Sequence, residues 1–203
     1  MKLSKGFWAV SVIVLILLAD QALKIWIKTH LALGEDIRIT DWFYIRFVEN
    51  KGMAMGIEVM GKLFLSIFRI LASGAIIYYL VRLVRRDFPT GYIIFVSLIF
   101  AGAIGNIIDS IFYSVIFSDS TPYHVATLFP PEGGYGTWLH GKVVDMFYFP
   151  LFEFNWPSWM PWIGGQEFVF FRYIFNLADA SISVGFIVLL LFFRKTFSAS
   201  FEK

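Results

Sequence analysis

GYIIFVSLIFAGAIGNIIDSI, residues 91–111, decides how this chain folds. Residues 91–105 carry no charge, and the run is as long as the roughly 20 residues a helix needs to cross a bilayer core. In hydrocarbon, every backbone N–H and C=O has to be satisfied inside the segment, so the run reads as a transmembrane helix. Three further apolar runs, about Phe7–Ile27, Leu63–Val81 and Tyr173–Phe193, read the same way. Composition agrees: 58% of the 203 residues are hydrophobic and 16% are charged, against about a quarter charged in soluble domains. A soluble nucleic-acid binder, a disordered tail and a disulfide-stapled secreted domain are excluded. The absence of cysteine removes thiolate metal sites and thiol nucleophiles, and also any cysteine that would make this chain itself a lipoprotein. A net charge of +2 implies no polybasic partner surface.

The first run follows Lys2 and Lys5 as a signal peptide would. No small-x-small site ends it, and Ile25, Trp26 and Ile27 continue it, so it reads as a retained span. Lysine and arginine crowd the tails and the short 82–90 turn (Lys2, Lys5, Arg82, Arg85, Arg86, Arg194, Lys195 and Lys203) and are sparse in the longer segments 28–62 and 112–172. The positive-inside rule then puts both termini in the cytoplasm. Within the first outer segment, residues 37–49 are β-branched and aromatic and read as strand. The second holds six of the seven prolines and four of the seven tryptophans, too broken for a spanning helix. It reads as an aromatic platform on the outer membrane face. The expected architecture is one integral membrane domain over 1–203: a four-helix bundle, all-α within the membrane, with an aromatic-rich interfacial loop. No internal repeat suggests a transporter of inverted halves.

Ionisable groups inside such spans cost about 2.5–3.5 kcal/mol each on insertion scales, so those retained are functional candidates. Asp20 and Lys24 are i,i+4 on the first helix and can pair at its outer end. Arg69 reads as structural, its long stem snorkelling outward. Asn106 and Asp109 share a face, with Gly102 and Gly105 allowing close approach of a neighbouring backbone. Asn176 and Asp179 repeat the i,i+3 spacing on the fourth helix, with Ser183 one turn further in. Asp145, in the β-like run KVVDMFYFP, can meet Asp109 or Asp179 if that run folds onto the outer end of the bundle.

Two carboxylates held together share one proton and titrate as a pair, supplying a general base and a general acid. That is the chemistry of aspartic peptide hydrolysis. No GxSxG elbow, HExxH pair or serine three residues before a lysine offers another route, and no metal or cofactor is implied. His140, five residues before Asp145, reads as a solvated loop histidine.

The blocks DQALK (20–24), NKGMAMG (50–56), GAIGNIIDS (102–110), VVDMFYF (143–149) and FNLADASIS (175–183) resemble, in order, the signature blocks of lipoprotein signal peptidase (signal peptidase II). The resemblance implies an aspartic endopeptidase of the bacterial cytoplasmic membrane. It would cleave diacylglyceryl-modified prolipoproteins just before the lipidated cysteine, near the outer face. By position it implies Asp145 and Asp179 as the catalytic pair. Asn50, Asn106, Asp109 and Asn176 would shape the substrate pocket, with Asp20 and Lys24 supporting that end. It also implies a small periplasmic β-cradle. The expected partners are the lipidated precursor and membrane lipids, with no nucleic acid, and the chain is expected to act as a monomer. Met55 stands where the family pattern has phenylalanine, and Ser110 where it has an arginine that clamps substrate carbonyls. Arg172, seven residues before Asp179, is the expected replacement, two turns up the same face. The 112–172 loop is longer than the family leads one to expect. The competing reading is a proton- or ion-coupled carrier using Asp109 and Asp179 as a relay.

Overall fold

The structure, a computed structural model, describes residues 3–51 and 62–202. Most of the NKGMAMG block, including Met55, lies outside them, as do Lys2 and Lys203. Helix α1 (Lys5–His30) opens at Ser4, whose Oγ accepts from the Phe7 N–H at 3.1 Å. Helix α2 spans Lys62–Arg85 and α3 Thr90–Ile108. The latter continues through a π turn (Asp109–Tyr113) into the short α4 (Ser114–Ile116). Helix α5 (Leu177–Phe192) bends by 90° into α6 (Arg194–Phe201).

Among the described residues, three helical stretches are long and apolar enough to cross a membrane, Lys5–His30, Leu63–Arg85 and Thr90–Ile116. A fourth span results only if α5 and α6 count as one. Here the expected Tyr173–Phe193 helix needs correction. Ile174–Phe175 is a strand, β6, and the helix starts at Leu177. At 1.5 Å per residue, the 16 residues of α5 reach only about 24 Å, short of a core of roughly 30 Å. Its apolar run was shared between a strand that docks on a sheet and a helix, which hydrophobicity alone cannot distinguish.

Burial is inverted relative to a soluble bundle. Leu15 and Leu18 of α1 are each 65% exposed, while Asp20, Lys24 and Lys28 on the same helix are 0% exposed. Leucines facing outward are at ease in lipid; charges there would not be. The expected Asp20–Lys24 pair forms, at 2.9 Å, and both residues point into the protein.

Strands β1 (Asp36–Thr40), β2 (Phe43–Asn50), β3 (Val143–Tyr148) and β6 form one antiparallel sheet in the order β1-β2-β3-β6. The strand reading of 37–49 and of the run around Asp145 is borne out. In the aromatic loop, β4 (Phe152–Asn155) and β5 (Glu167–Phe170) pair as a separate two-stranded sheet, with Phe152 and Phe170 stacked at 4.6 Å. Two apolar clusters flank the buried charges along α1 and α3. One holds Ala9, Leu83, Tyr92 and Val96; the other gathers Ile27, Phe47, Phe117 and Met146.

Candidate functional site

Close contact between α3 and α5 makes the site possible. A Cβ on Gly102 would lie 2.2 Å from the Ala178 carbonyl oxygen, and one on Gly105 would lie 2.8 Å from Asp20 Oδ2. The expected close approach of a neighbouring backbone is borne out at Gly102, whereas at Gly105 it is the side chains of Asp20 and Ala178 that come close. The two glycines let the first turn of α5 lie against α3, with Asp20 of α1 reaching between them.

Lys24 forms the hub of this buried region. Its Nζ lies 2.9 Å from both Asp20 Oδ2 and Asp109 Oδ2, and donates to Asn106 Oδ1 at 3.0 Å. Three ammonium donors thus meet three acceptors. Gln21 Nε2 donates to Asp109 Oδ1 at 3.0 Å, and Tyr113 Oη donates back to Gln21 Oε1 at 3.1 Å. The Val144 N–H donates to Asp109 Oδ2 at 3.2 Å, fastening β3 to α3. Asp109 is buried and fully engaged, so it orients other groups rather than offering a free carboxylate.

The first turn of α5 is capped from two directions. Asn176 is its N-cap and accepts the Asp179 N–H at 2.9 Å. Asp20 Oδ1 accepts the Ala178 N–H at 3.0 Å from another helix. Both satisfy donors that a helix start leaves unpaired, and the Asp20 charge favours that end of the dipole. Asn176 and Asp179 therefore form a cap and its third residue, not two positions on one helical face. This frees the Asn176 amide to turn toward β3, where Nδ2 lies 2.7 Å from Asp145 Oδ1, 3.2 Å from the Val144 carbonyl and 3.1 Å from Asn106 Oδ1. Asn106 Nδ2 in turn donates to Asp179 Oδ1 at 2.7 Å. Asn176 thus holds Asp145 and Asn106 holds Asp179, and these two asparagines are bonded to each other.

Of the two alternatives for Asp145, it is the charge of Asp179 that acts on it. Burial first, and the Asp179 charge second, push the Asp145 carboxyl up to about 7. Hydrogen bonds from Asn176 and Asn50 and the charge of Lys24 pull the other way. Asn50 closes β2, opposite Val143 in the sheet. Of the nine expected site residues, seven converge in one network of contacts: Asp20, Lys24, Asn106, Asp109, Asp145, Asn176 and Asp179. Asn50 joins it through Asp145.

Arg172 does not. It precedes α5 by five residues, is exposed, and its Nη2 donates to the Glu167 carbonyl at 3.4 Å. It lines a groove of about 860 Å³ with Arg46, Tyr148, Glu153 and Glu167. The expected placement two turns up the same helical face fails because the chain is a strand before Leu177. Ser183 is also turned outward; Ser181 is the buried serine of that helix. His140 is exposed and bonds the Trp138 carbonyl at 2.9 Å, as expected of a loop histidine.

Sequence reasoning missed two features. Arg69 does not snorkel outward: its Nη1 donates to Ser110 Oγ at 3.3 Å. A second buried cluster joins Lys28, Glu49 and Lys142. Lys28 Nζ meets Glu49 and also donates to Ser120 Oγ at 2.7 Å; Lys142 Nζ lies 2.8 Å from Glu49 Oε2 and 2.7 Å from Asp119 Oδ1. This cluster ties the end of α1 to the two strands that carry Asn50 and Asp145. A signal existed, since Asp20, Lys24 and Lys28 stand at successive i,i+4 positions on one face of an otherwise apolar helix.

Comparison with known proteins completes the description. Residues 12–195 match the model of a peptidase family described as signal peptidase (SPase) II. The chain is 55% identical over 198 residues to a lipoprotein signal peptidase of Porphyromonas gingivalis, covering 97% of this chain and 87% of that one. It is 32% identical to a lipoprotein signal peptidase of Amoebophilus asiaticus, covering 97% and 81%. Two bacterial membrane enzymes solved by the in meso method share its fold. The structure at 1.9 Å resolution has a TM-score of 0.60 at 24% identity over 92% of each chain. The structure at 2.3 Å has a TM-score of 0.61 at 25% identity, over 96% of this chain and 92% of the other.

Proposed function

Because this chain belongs to the signal peptidase II family, we propose that it is the aspartic endopeptidase that removes signal peptides from diacylglyceryl-modified prolipoproteins, with Asp145 and Asp179 as its catalytic pair. One observation carries the reading: a buried carboxyl pushed up to about 7 by burial and by a second carboxylate, with Asn176 holding the first and Asn106 the second. Such a pair retains one proton at neutral pH and can serve as acid and base together.

Asp145, deeper and up-shifted, holds the proton, and Asp179 is the base. A water between them loses its proton to Asp179 as its oxygen bonds to the scissile carbonyl carbon. Asp145 gives its proton to the developing oxyanion. When the tetrahedral intermediate collapses, Asp179 returns a proton to the leaving nitrogen of the lipidated cysteine, the C–N bond breaks, and Asp145 recovers a proton from the nascent carboxylic acid. Lys24, Asp20, Asp109, Asn106, Asn176 and Asn50 hold the two carboxyls rather than react. The β1-β2-β3-β6 sheet serves as the periplasmic cradle against which the substrate lies. Its acyl chains are anchored in the outer leaflet, which sets the depth of cleavage. Both termini are cytoplasmic, and the aromatic loop rests on the outer face of the cytoplasmic membrane.

A carrier fits less well. The carboxylates gather at one level, beside Lys24, while the cluster around Leu83, Tyr92 and Val96 leaves the other end of α3 apolar. Purified protein should cut a diacylglyceryl precursor and spare its non-lipidated counterpart. Asp145→Asn and Asp179→Asn should each abolish cleavage while the protein stays folded. Substantial residual turnover in either variant would count against the pair.

A further inference from the structure

We propose that Arg69 is a substrate-positioning residue: its guanidinium, reaching in from α2, holds a peptide carbonyl next to the bond that the Asp145–Asp179 pair cleaves. This rests on the function proposed above and adds a residue from a helix that contributes nothing else to the pair. The inward stripe of α2 runs through Ser66, Arg69, Ser73, Ile76, Leu80 and Leu83 at alternating spacings of three and four, and its other faces are largely exposed. Toward the 110s and 139 end this stripe is polar. Ser66 Oγ donates to the Leu139 carbonyl at 2.9 Å, and Arg69 reaches Ser110, whose own hydroxyl donates a hydrogen bond to the Asn106 carbonyl at 2.8 Å. Arg69 is placed to feel the charges of Asp179, Asp109 and Asp145 together.

What makes this a binding feature is what Arg69 leaves unused. A guanidinium has five N–H donors in a fixed fork. Among the described residues, Arg69 makes one hydrogen bond, the long one to Ser110, and no ion pair. One turn deeper, Ser73 Oγ is buried with no hydrogen-bond partner among the described residues. Donors left over beside the reacting carboxyls need an acceptor. A neutral peptide carbonyl supplies it without adding a further negative charge to a site that already holds three acids. The guanidinium arrives from α2 to within 3.3 Å of Ser110, the residue that follows Asp109.

The test uses the full chain and a diacylglyceryl peptide substrate, with thermal unfolding measured in parallel. Arg69→Ala should lower kcat/KM by about 10- to 100-fold, the worth of one or two hydrogen bonds to a charged donor. Adding Ser110→Arg in the Arg69→Ala background should restore most of it, since the new side chain can place its fork in the vacated space. A purely structural arginine predicts no such rescue. Arg69→Lys, which keeps the charge but not the fork, should lose at least threefold and serves if Arg69→Ala unfolds. Wild-type kcat/KM in Arg69→Lys or Arg69→Ala, or a folded double variant no better than Arg69→Ala, overturns the proposal. The two readings fail separately: if Asp145→Asn and Asp179→Asn are dead but Arg69→Ala is not impaired, only the role of Arg69 is wrong.

Discussion

Asn176 performs two tasks that one substitution can separate. Its Oδ1 caps α5 through the Asp179 N–H, and its Nδ2 donates to Asp145 Oδ1 at 2.7 Å. Serine caps a helix about as well as asparagine, but its side chain has no amide to send to β3. Asn176→Ser should therefore keep the helix start and remove the amide donor, which also serves the Val144 carbonyl and Asn106 Oδ1 but of these acceptors has one that titrates, Asp145. That hydrogen bond favours the charged carboxylate, so losing it raises the Asp145 pKa from its present value of about 7. A hydrogen bond to a charged group is worth about 1.5–3 kcal/mol, which at 1.36 kcal/mol per unit is about one to two pKa units. The active pair carries one proton, and rising pH removes it from Asp145, so the alkaline limb of the rate profile should move up by that amount. Initial cleavage rates of a lipidated peptide over the whole pH range report the limb; thermal unfolding reports the cap. Asn176→Ala, which loses cap and donor together, should show the same shift with about 1 kcal/mol less stability. If Asn176→Ser leaves the alkaline limb in place, the assignment of that limb to Asp145 is refuted.

Asp145→Asn should be inactive yet more stable than the parent above neutral pH. The native carboxyl titrates near 7 and the unfolded one near 4, so the folded state holds the extra proton, and stability declines as pH rises between those values; differential unfolding midpoints of the two proteins at acid and alkaline pH test the sign. Lys24→Met should cost about 3–5 kcal/mol, because it strands the buried carboxylates Asp20 and Asp109; a denaturation midpoint close to that of the parent would contradict the hub role. Gly102→Ala should separate α3 from α5 and sharply reduce folded yield, since the added methyl meets the Ala178 carbonyl at 2.2 Å; unchanged yield and activity would show that the helices have room to move.

The amino-acid sequence by itself determined three long apolar helices, the strands around residues 37–49 and Asp145, and nearly all the residues of the buried polar network. Those readings follow from local physics: an apolar run of about 20 residues has few other fates, and acids retained in it are costly unless used. The same local rules misjudged Ile174–Phe175, apolar enough for a helix but paired to Phe147 and Tyr148 in the sheet. With that strand went the helical face that would have carried Arg172 to Asp179. Only tertiary structure decided who pairs with whom. Lys24 and Asp109 are 85 positions apart in the chain and 2.9 Å apart in space, and Arg69 meets Ser110 across 41 positions. Charge and hydrogen-bond partners are chosen by the packing of one helix on another, which here turns on two glycines and a cap. Periodicity along one strand of chain can say which face is polar, but not what stands opposite it.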